Sequence, residues 1–299
     1  MKTILLIALP ALAGLLCGAA ALAVEPNREA KDYQALRQRY HELVAQGNFN
    51  DAYQGLRTLL LDKAVPGADE DLADAVNCLQ RLNRMAEIDE MLEAAVTTHQ
   101  HDPHRWAFLW AIARQYQQIQ HQGFVVAGKF YRGPHRGGDG RYVFSGARDR
   151  VRALQLMVQA LSNARKDDNH PHVSLFLLSL ADMLANMQQP WRLQAKTDLD
   201  VLPDYEEGWG YYGGQPQGAP VDAAGRPVYY TVPKSFEAAT SDGQRWRWCL
   251  QQAVEFDAAQ TNTARMRLAD FLHGQFGVQT MANYGWFFGR AVTDDSKED

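Results

Sequence analysis

Histidines and cysteines carry the most immediate capacity for metal or nucleophile chemistry in this chain, and their spacing is where a reaction would show. His99-Gln100-His101-Asp102-Pro103-His104 crowds three imidazoles into one short stretch, and His170-Pro171-His172 adds two more. Zinc requires three or four donors converging as a tetrahedron. Neither cluster has the His-Glu-x-x-His spacing that sets two ligands on one helix face. Both stand beside prolines at helix starts, where solvated polar turns are ordinary, so no metal and no cofactor is expected. Cys249-Leu250-Gln251-Gln252 has the Cys-to-Gln spacing of an internal thioester. A thioester needs a strained turn to bring thiol and carboxamide together, whereas these residues fall inside a helical pattern and lack the flanking glycine and glutamate. The carboxylate pairs Glu206-Glu207, Asp167-Asp168 and Asp294-Asp295 are adjacent, so regular structure would not converge them on one substrate. The run from Arg132 to Gly140 is glycine-rich but lacks the Gly-Lys-Ser/Thr ending of a phosphate loop, and reads as a flexible basic turn. No Gly-x-Ser-x-Gly elbow occurs. These residues spell out no reaction, and the expectation is a non-enzymatic protein with no catalytic set.

The elements around them are mainly helical. Leu36, Tyr40 and Leu43 share one helix face; Gln46-Gly47-Asn48 turns; Phe49, Ala52, Leu56 and Leu59 form the returning face. Leu72, Ala75, Leu79 and Leu82 repeat the first face, Asn83-Arg84 turns, and Met85, Ile88, Leu92 and Ala95 repeat the second. These spacings of three and four are those of amphipathic helices. Gly47 and Asn83 lie about one tetratricopeptide-like period apart, near 34 residues, and Ala52 is the small residue expected where two helices cross closely. The predicted fold class is therefore mainly α: antiparallel helical hairpins in a tetratricopeptide-like or α-solenoid array. A helix from His104 (Trp106, Leu109, Trp110, Ala113, Tyr116) starts a further unit. A Gly-rich insertion near 123–146 interrupts the array, with short strands at Phe124–Val126 and Arg141–Phe144. Helices resume over 147–164 (Val151, Leu154, Met157, Val158, Leu161) and 172–187 (Leu175, Leu178, Ala181, Met183, Leu184).

From Gln189 the pattern changes. Residues 190–233 have little helical periodicity and exceed an ordinary connection, yet their aromatic content is unlike a disordered linker. Trp191, Tyr205, Trp209, Tyr211, Tyr212, Tyr229 and Tyr230 are the candidate protein-contact surface; the competing reading of the same residues is a structural strap across helix ends. Asp222-Ala223-Ala224-Gly225 reads as a turn and Val228–Val232 as strand-like, which allows a small β-hairpin. Ser241 or Asp242 then caps a helix, Gln244 completes a capping-box pattern, and Trp246, Leu250, Ala253 and Val254 form its stripe, widened by Trp248 and Cys249. Thr261 or Asn262 opens a last helix with Met266, Leu268, Ala269, Phe271 and Leu272 inside. The predicted organisation is thus a helical array over 24–188, a strap with a C-terminal helix pair over 189–288, and a charged tail over 289–299.

Residues 1–23 have the positive start, apolar core and Ala21-Leu22-Ala23 cleavage site of a secretory signal, so the chain is expected to be exported, periplasmic or extracellular. A lipoprotein anchored through Cys17 is the competing reading, disfavoured by Leu16 where such signals want a small residue. No later stretch is long and apolar enough to span a bilayer. The net charge of −5 and scattered basic residues argue against a nucleic-acid surface. Cys78 and Cys249 each lie on an apolar helix stripe; a bridge and two separate core thiols both fit.

Several blocks carry a resemblance. Trp191-Arg192-Leu193-Gln194, Leu202-Pro203-Asp204-Tyr205-Glu206, Gly218-Ala219-Pro220-Val221-Asp222, Val232-Pro233-Lys234-Ser235, Asp242-Gly243-Gln244-Arg245-Trp246-Arg247-Trp248 and Asp270–Met281 resemble the N-terminal region of large exported bacterial α2-macroglobulin-like proteins. The likeness covers about the last third of the chain. It implies a scaffold or contact role beside protease trapping or envelope defence, with macroglobulin domains or envelope proteins as partners. The bait and thioester regions of such proteins are not among residues 1–299. A free-standing tetratricopeptide-like adaptor for envelope proteins or peptides is the other reading.

Overall fold

The computed structural model describes residues 28–101, 105–135, 139–185, 193–208 and 221–276. They are mainly helical with one small antiparallel sheet, the class that the periodicity predicts. In chain order the elements are α1 (Arg28–Ala45), α2 (Phe49–Leu60), α3 (Asp69–Arg81), a 3-10 turn (Met85–Glu87), α4 (Ile88–Thr98), α5 (Arg105–Gln118), β1 (Gln122–Val126), β2 (Lys129–Arg132), β3 (Arg141–Phe144), α6 (Gly146–Ala164), α7 (His170–Ala185), β4 (Glu206–Glu207), α8 (Asp242–Phe256), a 3-10 turn (Ala258–Gln260) and α9 (Thr261–Phe276).

Most of the stripe positions read from the sequence for α2 to α6 are buried. Ala52, Leu56, Leu72, Leu79, Ile88, Leu92, Trp106, Leu109, Leu154, Met157, Phe176 and Leu180 join one hydrophobic core. The turns after α1 and α3 close the same way. Gly47 and Asn83 both take positive φ (81° and 57°). Gly47 N donates to Val44 O and Asn48 N to Leu43 O; Asn83 N donates to Gln80 O and Arg84 N to Leu79 O. Each is a Schellman cap, which needs a left-handed residue just past the helix end.

Gly55 of α2 meets Tyr40 of α1 closely, and Ala52, one turn earlier, is fully buried. A Cβ on Gly55 would lie 2.2 Å from the Tyr40 ring, so the ring occupies the space a side chain would take. Gly55→Ala is expected to lower unfolding free energy by about 1–3 kcal/mol through overpacking, which urea unfolding at equilibrium will measure.

The first helices of successive pairs are neighbours. Arg37 Nε donates to Asp71 at 2.6 Å and His41 Nδ1 meets Asp74 at 2.6 Å, joining α1 to α3. Arg114 of α5 pairs with Asp69 of α3. Trp110 Nε1 donates to Ser179 Oγ at 2.8 Å, and Trp106 stands edge-on to Phe176 at 5.6 Å, joining α5 to α7. Helices α5 and α6 pack along each other although the sheet is inserted between them in sequence.

That sheet has the order β2-β1-β3-β4, antiparallel throughout. The two strands read from the sequence, β1 and β3, are joined by an unforeseen third. Ala127 (φ 48°) and Gly128 (φ 80°) make the two-residue turn into β2, the left-handed pair that suits strand twist. Glu206-Glu207 of the later chain adds β4.

Several expectations need correction. Val228–Val232 is not a strand; only a bridge, Val221 to Pro227, closes the turn, where the Asp222 carboxylate accepts from Ala224 N and Arg226 N. The flanking prolines remove the donors a ladder needs. Met266 and Leu175 are exposed (63% and 47%), as is Ala269. The inward face of α9 is Ala264, Leu268 and Phe271. Ser241 caps α8 by accepting from Gln244 N at 3.2 Å, but the Gln244 side chain accepts from Thr240 N rather than closing on Ser241. Cys78 and Cys249 are separate buried thiols, not a bridge; burial raises both, Cys78 to about 11. Among the described residues no helix is long and apolar enough to cross a membrane. The signal segment 1–23, Cys17 and the tail 289–299 lie outside the described residues.

Candidate interaction site

Residue Arg132, read from sequence as part of a flexible turn, is almost fully buried (2% exposed). β2 ends on it, and the antiparallel register with β1 aims its guanidinium between α4 and α6. There it donates to both oxygens of Asp89 (2.6 and 3.0 Å) and both of Asp149 (2.8 and 3.0 Å), and to Gln120 O at 2.6 Å. His121 Nδ1 and Ser145 Oγ also reach Asp149, at 2.7 and 2.6 Å. Planar guanidinium forks matched to carboxylates are the strongest of protein hydrogen bonds, and this one fastens the sheet insert to two helices.

Above this hub opens a cleft of about 390 Å³ lined by Asp89 and Glu93 of α4, Tyr116 of α5, Phe130 of β2, Arg148 and Arg152 of α6, and Leu202 and Tyr205 of the strap. Arg152 forks onto Glu93 at 2.6 and 2.8 Å, and the Tyr116 hydroxyl donates to Glu93 at 2.7 Å. Tyr205 stacks on Phe130 (4.6 Å, 20°), with the Arg148 guanidinium 5.0 Å over its ring. The Arg148 Nη1 donates to Pro203 O at 2.9 Å, and no carboxylate pairs with Arg148 among the described residues.

Burial by itself raises the Asp149 and Glu93 carboxyls. For Asp149, hydrogen bonds from His121 and Arg132 outweigh that cost; for Glu93, those from Arg152 and Tyr116 do, and both carboxyls end below their ordinary values. Their contribution to stability is therefore fully present above the ordinary carboxylate range, about pH 4, and is lost as pH falls through the lowered folded values. Urea midpoints measured from pH 7 down to pH 2 are expected to fall steeply below about pH 4, and Asp149→Asn is expected to flatten that fall.

The strap is fixed by a second buried hub. Asp242, in the first turn of α8 and 3% exposed, accepts from Thr197 N (3.1 Å), Arg245 Nη1 (3.0 Å), Arg150 Nη2 (3.4 Å) and the Thr197 hydroxyl. Arg150 also donates to Leu184 O at 2.8 Å, and Arg245 to Thr197 O at 3.0 Å. Both guanidiniums are buried, and the Nε of each lacks a partner. Gln155 Nε2 donates to Leu199 O at 2.9 Å. The chain from Thr197 to Tyr205 is thus laid along α6.

Of the seven aromatic residues singled out in the sequence, the structure brings Tyr205 into the cleft. Tyr229 is 67% exposed. Tyr230 packs on Gly243, where a Cβ would stand 2.4 Å from its ring, and near Phe271; burial raises its hydroxyl to about 12. Trp191, Trp209, Tyr211 and Tyr212 lie outside the described residues. The histidines do not converge. His99 is buried against Leu60 O at 2.9 Å, His172 packs on Trp106 and Trp110, His170 on Phe256, and His104 lies outside the described residues. No group of three or more metal-ligating side chains is placed to hold an ion among the described residues. Cys249 and Gln252 sit within α8, a regular helix.

Sequence reasoning missed Arg132, Asp89, Glu93, Asp149 and the three-arginine lining. One signal was available: Asp89 with Glu93 and Arg148 with Arg152 are four apart, so each pair shares a helix face, with opposite charge on the two helices. No family model, no curated protein and no solved structure matches the chain.

Proposed function

We propose that this chain is a non-enzymatic, exported interaction scaffold, the N-terminal segment of an α2-macroglobulin-like protease-trapping or envelope-defence system. The observation that carries the reading is that two of the blocks bearing the resemblance are the ones that fasten strap to helices. Leu202–Glu206 supplies Pro203 and Tyr205 at the cleft, and Asp242–Trp248 supplies the buried Asp242 and Arg245. Strap and helices together present a polar cleft and an exposed Tyr229, a surface suited to a protein partner rather than to bond-making. The test is to mix the mature chain with the macroglobulin domains of an exported α2-macroglobulin-like protein from the same cell, and separately with trypsin. A stable complex by size-exclusion chromatography with light scattering is expected, and no stoichiometric retention of trypsin. Retention of trypsin by this chain alone would overturn the reading.

The second reading, a free-standing tetratricopeptide-like adaptor, has its own support. The two Schellman turns at Gly47 and Asn83 are alike, and α1, α3, α5 and α7 succeed one another as neighbours, the order in which stacked hairpins bury a continuous core. Helix α6 then stands as the second helix of a hairpin whose loop has grown into the sheet. A complex with envelope peptides but none with macroglobulin domains would favour the adaptor.

A further inference from the structure

We infer that the cleft between α4, α6 and the strap binds an extended segment of a protein partner, with Arg148 receiving one aspartate or glutamate side chain. The inference rests on the reading of the chain as an interaction scaffold and names what one of its surfaces recognises. Six charged side chains line the cleft, three arginines against three carboxylates. Two of the arginines are already used. Arg132 is forked onto Asp89 and Asp149, and Arg152 onto Glu93. Arg148 is different: it is half-buried, it makes no ion pair among the described residues, and its contacts are a neutral carbonyl, Pro203 O, and the Tyr205 ring. Among the described residues nothing bonds its Nε or Nη2, the edge that takes a bidentate carboxylate, the geometry a guanidinium holds best.

The opposite wall decides the class of ligand. Asp89 and Glu93 keep 33% and 44% of their side chains accessible, so lone pairs not taken by arginine face the opening. The balanced lining gives an isolated anion such as phosphate no net attraction, so a ligand must bring donors for these carboxylates together with its one negative group. A peptide offers both complements at once: backbone N–H groups for Asp89 and Glu93, and an acidic side chain for Arg148. Phe130, Tyr205 and Leu202 supply the apolar contact such segments add. A volume of about 390 Å³ suits one or two residues in the cleft, with the rest of the segment running out at its mouth.

The test uses the whole mature chain and a library of acetylated, amidated heptapeptides made in matched Glu and Gln pairs, read by fluorescence polarisation. The Glu members are expected to bind at least about tenfold tighter than their Gln partners, the size of one charge-assisted bond. Arg148→Gln, shown by circular dichroism to remain folded, should abolish that preference, and Leu202→Trp, which fills the cleft, should weaken every peptide. Equal binding of Glu and Gln members, or a preference that survives Arg148→Gln, overturns the proposal. So does inorganic phosphate competing at peptide concentrations. Glu-selective binding without any complex with macroglobulin domains would leave the cleft assignment standing and remove the α2-macroglobulin-like reading.

Discussion

Arg132→Ala is expected to lower the unfolding free energy by about 3–5 kcal/mol, or to prevent folding altogether. The substitution removes the guanidinium that Asp89 and Asp149 share, and Asp149 is itself almost fully buried. Taking one member from a buried ion cluster costs more than the cluster ever contributed, because the remaining charge is stranded in a poorly polarisable site. His121 and Ser145 would stay on Asp149 and soften the loss without cancelling it. Arg132→Lys should recover part of the stability, since an ammonium can meet one carboxylate but lacks the fork that spans two. A triple variant, Arg132→Met with Asp89→Leu and Asp149→Leu, is expected to be more stable than Arg132→Ala, as apolar replacement of an entire buried cluster often is. Urea unfolding at pH 7 measures all three, and Arg132→Ala within about 1 kcal/mol of wild type would contradict the burial argument.

Asp242→Ala should be comparably severe for the opposite reason. It leaves two guanidiniums, Arg150 and Arg245, facing each other with each more than nine-tenths buried and each already carrying an Nε without a partner. The expected loss is again about 3–5 kcal/mol, with a consequence specific to the strap: Thr197 loses the acceptor for both its N–H and its hydroxyl. Limited proteolysis should therefore cut between residues 193 and 208 well before it cuts α6 or α7, and backbone exchange at residues 195–199 should accelerate. Asp242→Asn keeps an acceptor for the Thr197 N–H and is expected to be milder. Equal protease resistance of Asp242→Ala and wild type would show that the strap is held by other contacts.

The helices were legible because apolar residues three and four apart report a buried face directly. Trp106, Leu109, Trp110, Ala113 and Tyr116 predicted α5 and are all buried. The outward turn of Met266 was not legible. It follows from α9 covering α8 along Ala264, Leu268 and Phe271, a choice of face that neighbouring apolar residues in α9 leave undecided. The ion hubs were hidden for a stronger reason. A charged residue on a helix is exposed in most proteins, so nothing in the helical pattern marks Asp149, Arg150 and Asp242 as buried. Arg132 lies 17 residues from Asp149 and 43 from Asp89, and Arg150 lies 92 from Asp242; a single sequence carries no signal linking them. Tyr205 could be singled out as aromatic, but that Phe130 and Arg148 would enclose it depended on β2, which the glycine-rich run concealed.

Residues Arg148, Asp149, Arg150 and Arg152 occupy little more than one turn of α6, yet they reach the strap, the sheet insert, α8 and α4 respectively. Chains of stacked hairpins usually come apart from their ends, one unit after another, because each unit touches only its neighbours. Here four parts of the chain are moored to one coil and also to one another, so none of them loosens without disturbing the rest. Denaturation of this chain should therefore run as a single cooperative step, with fluorescence and circular dichroism tracing the same curve, and the amides of that coil should be the last to exchange with solvent.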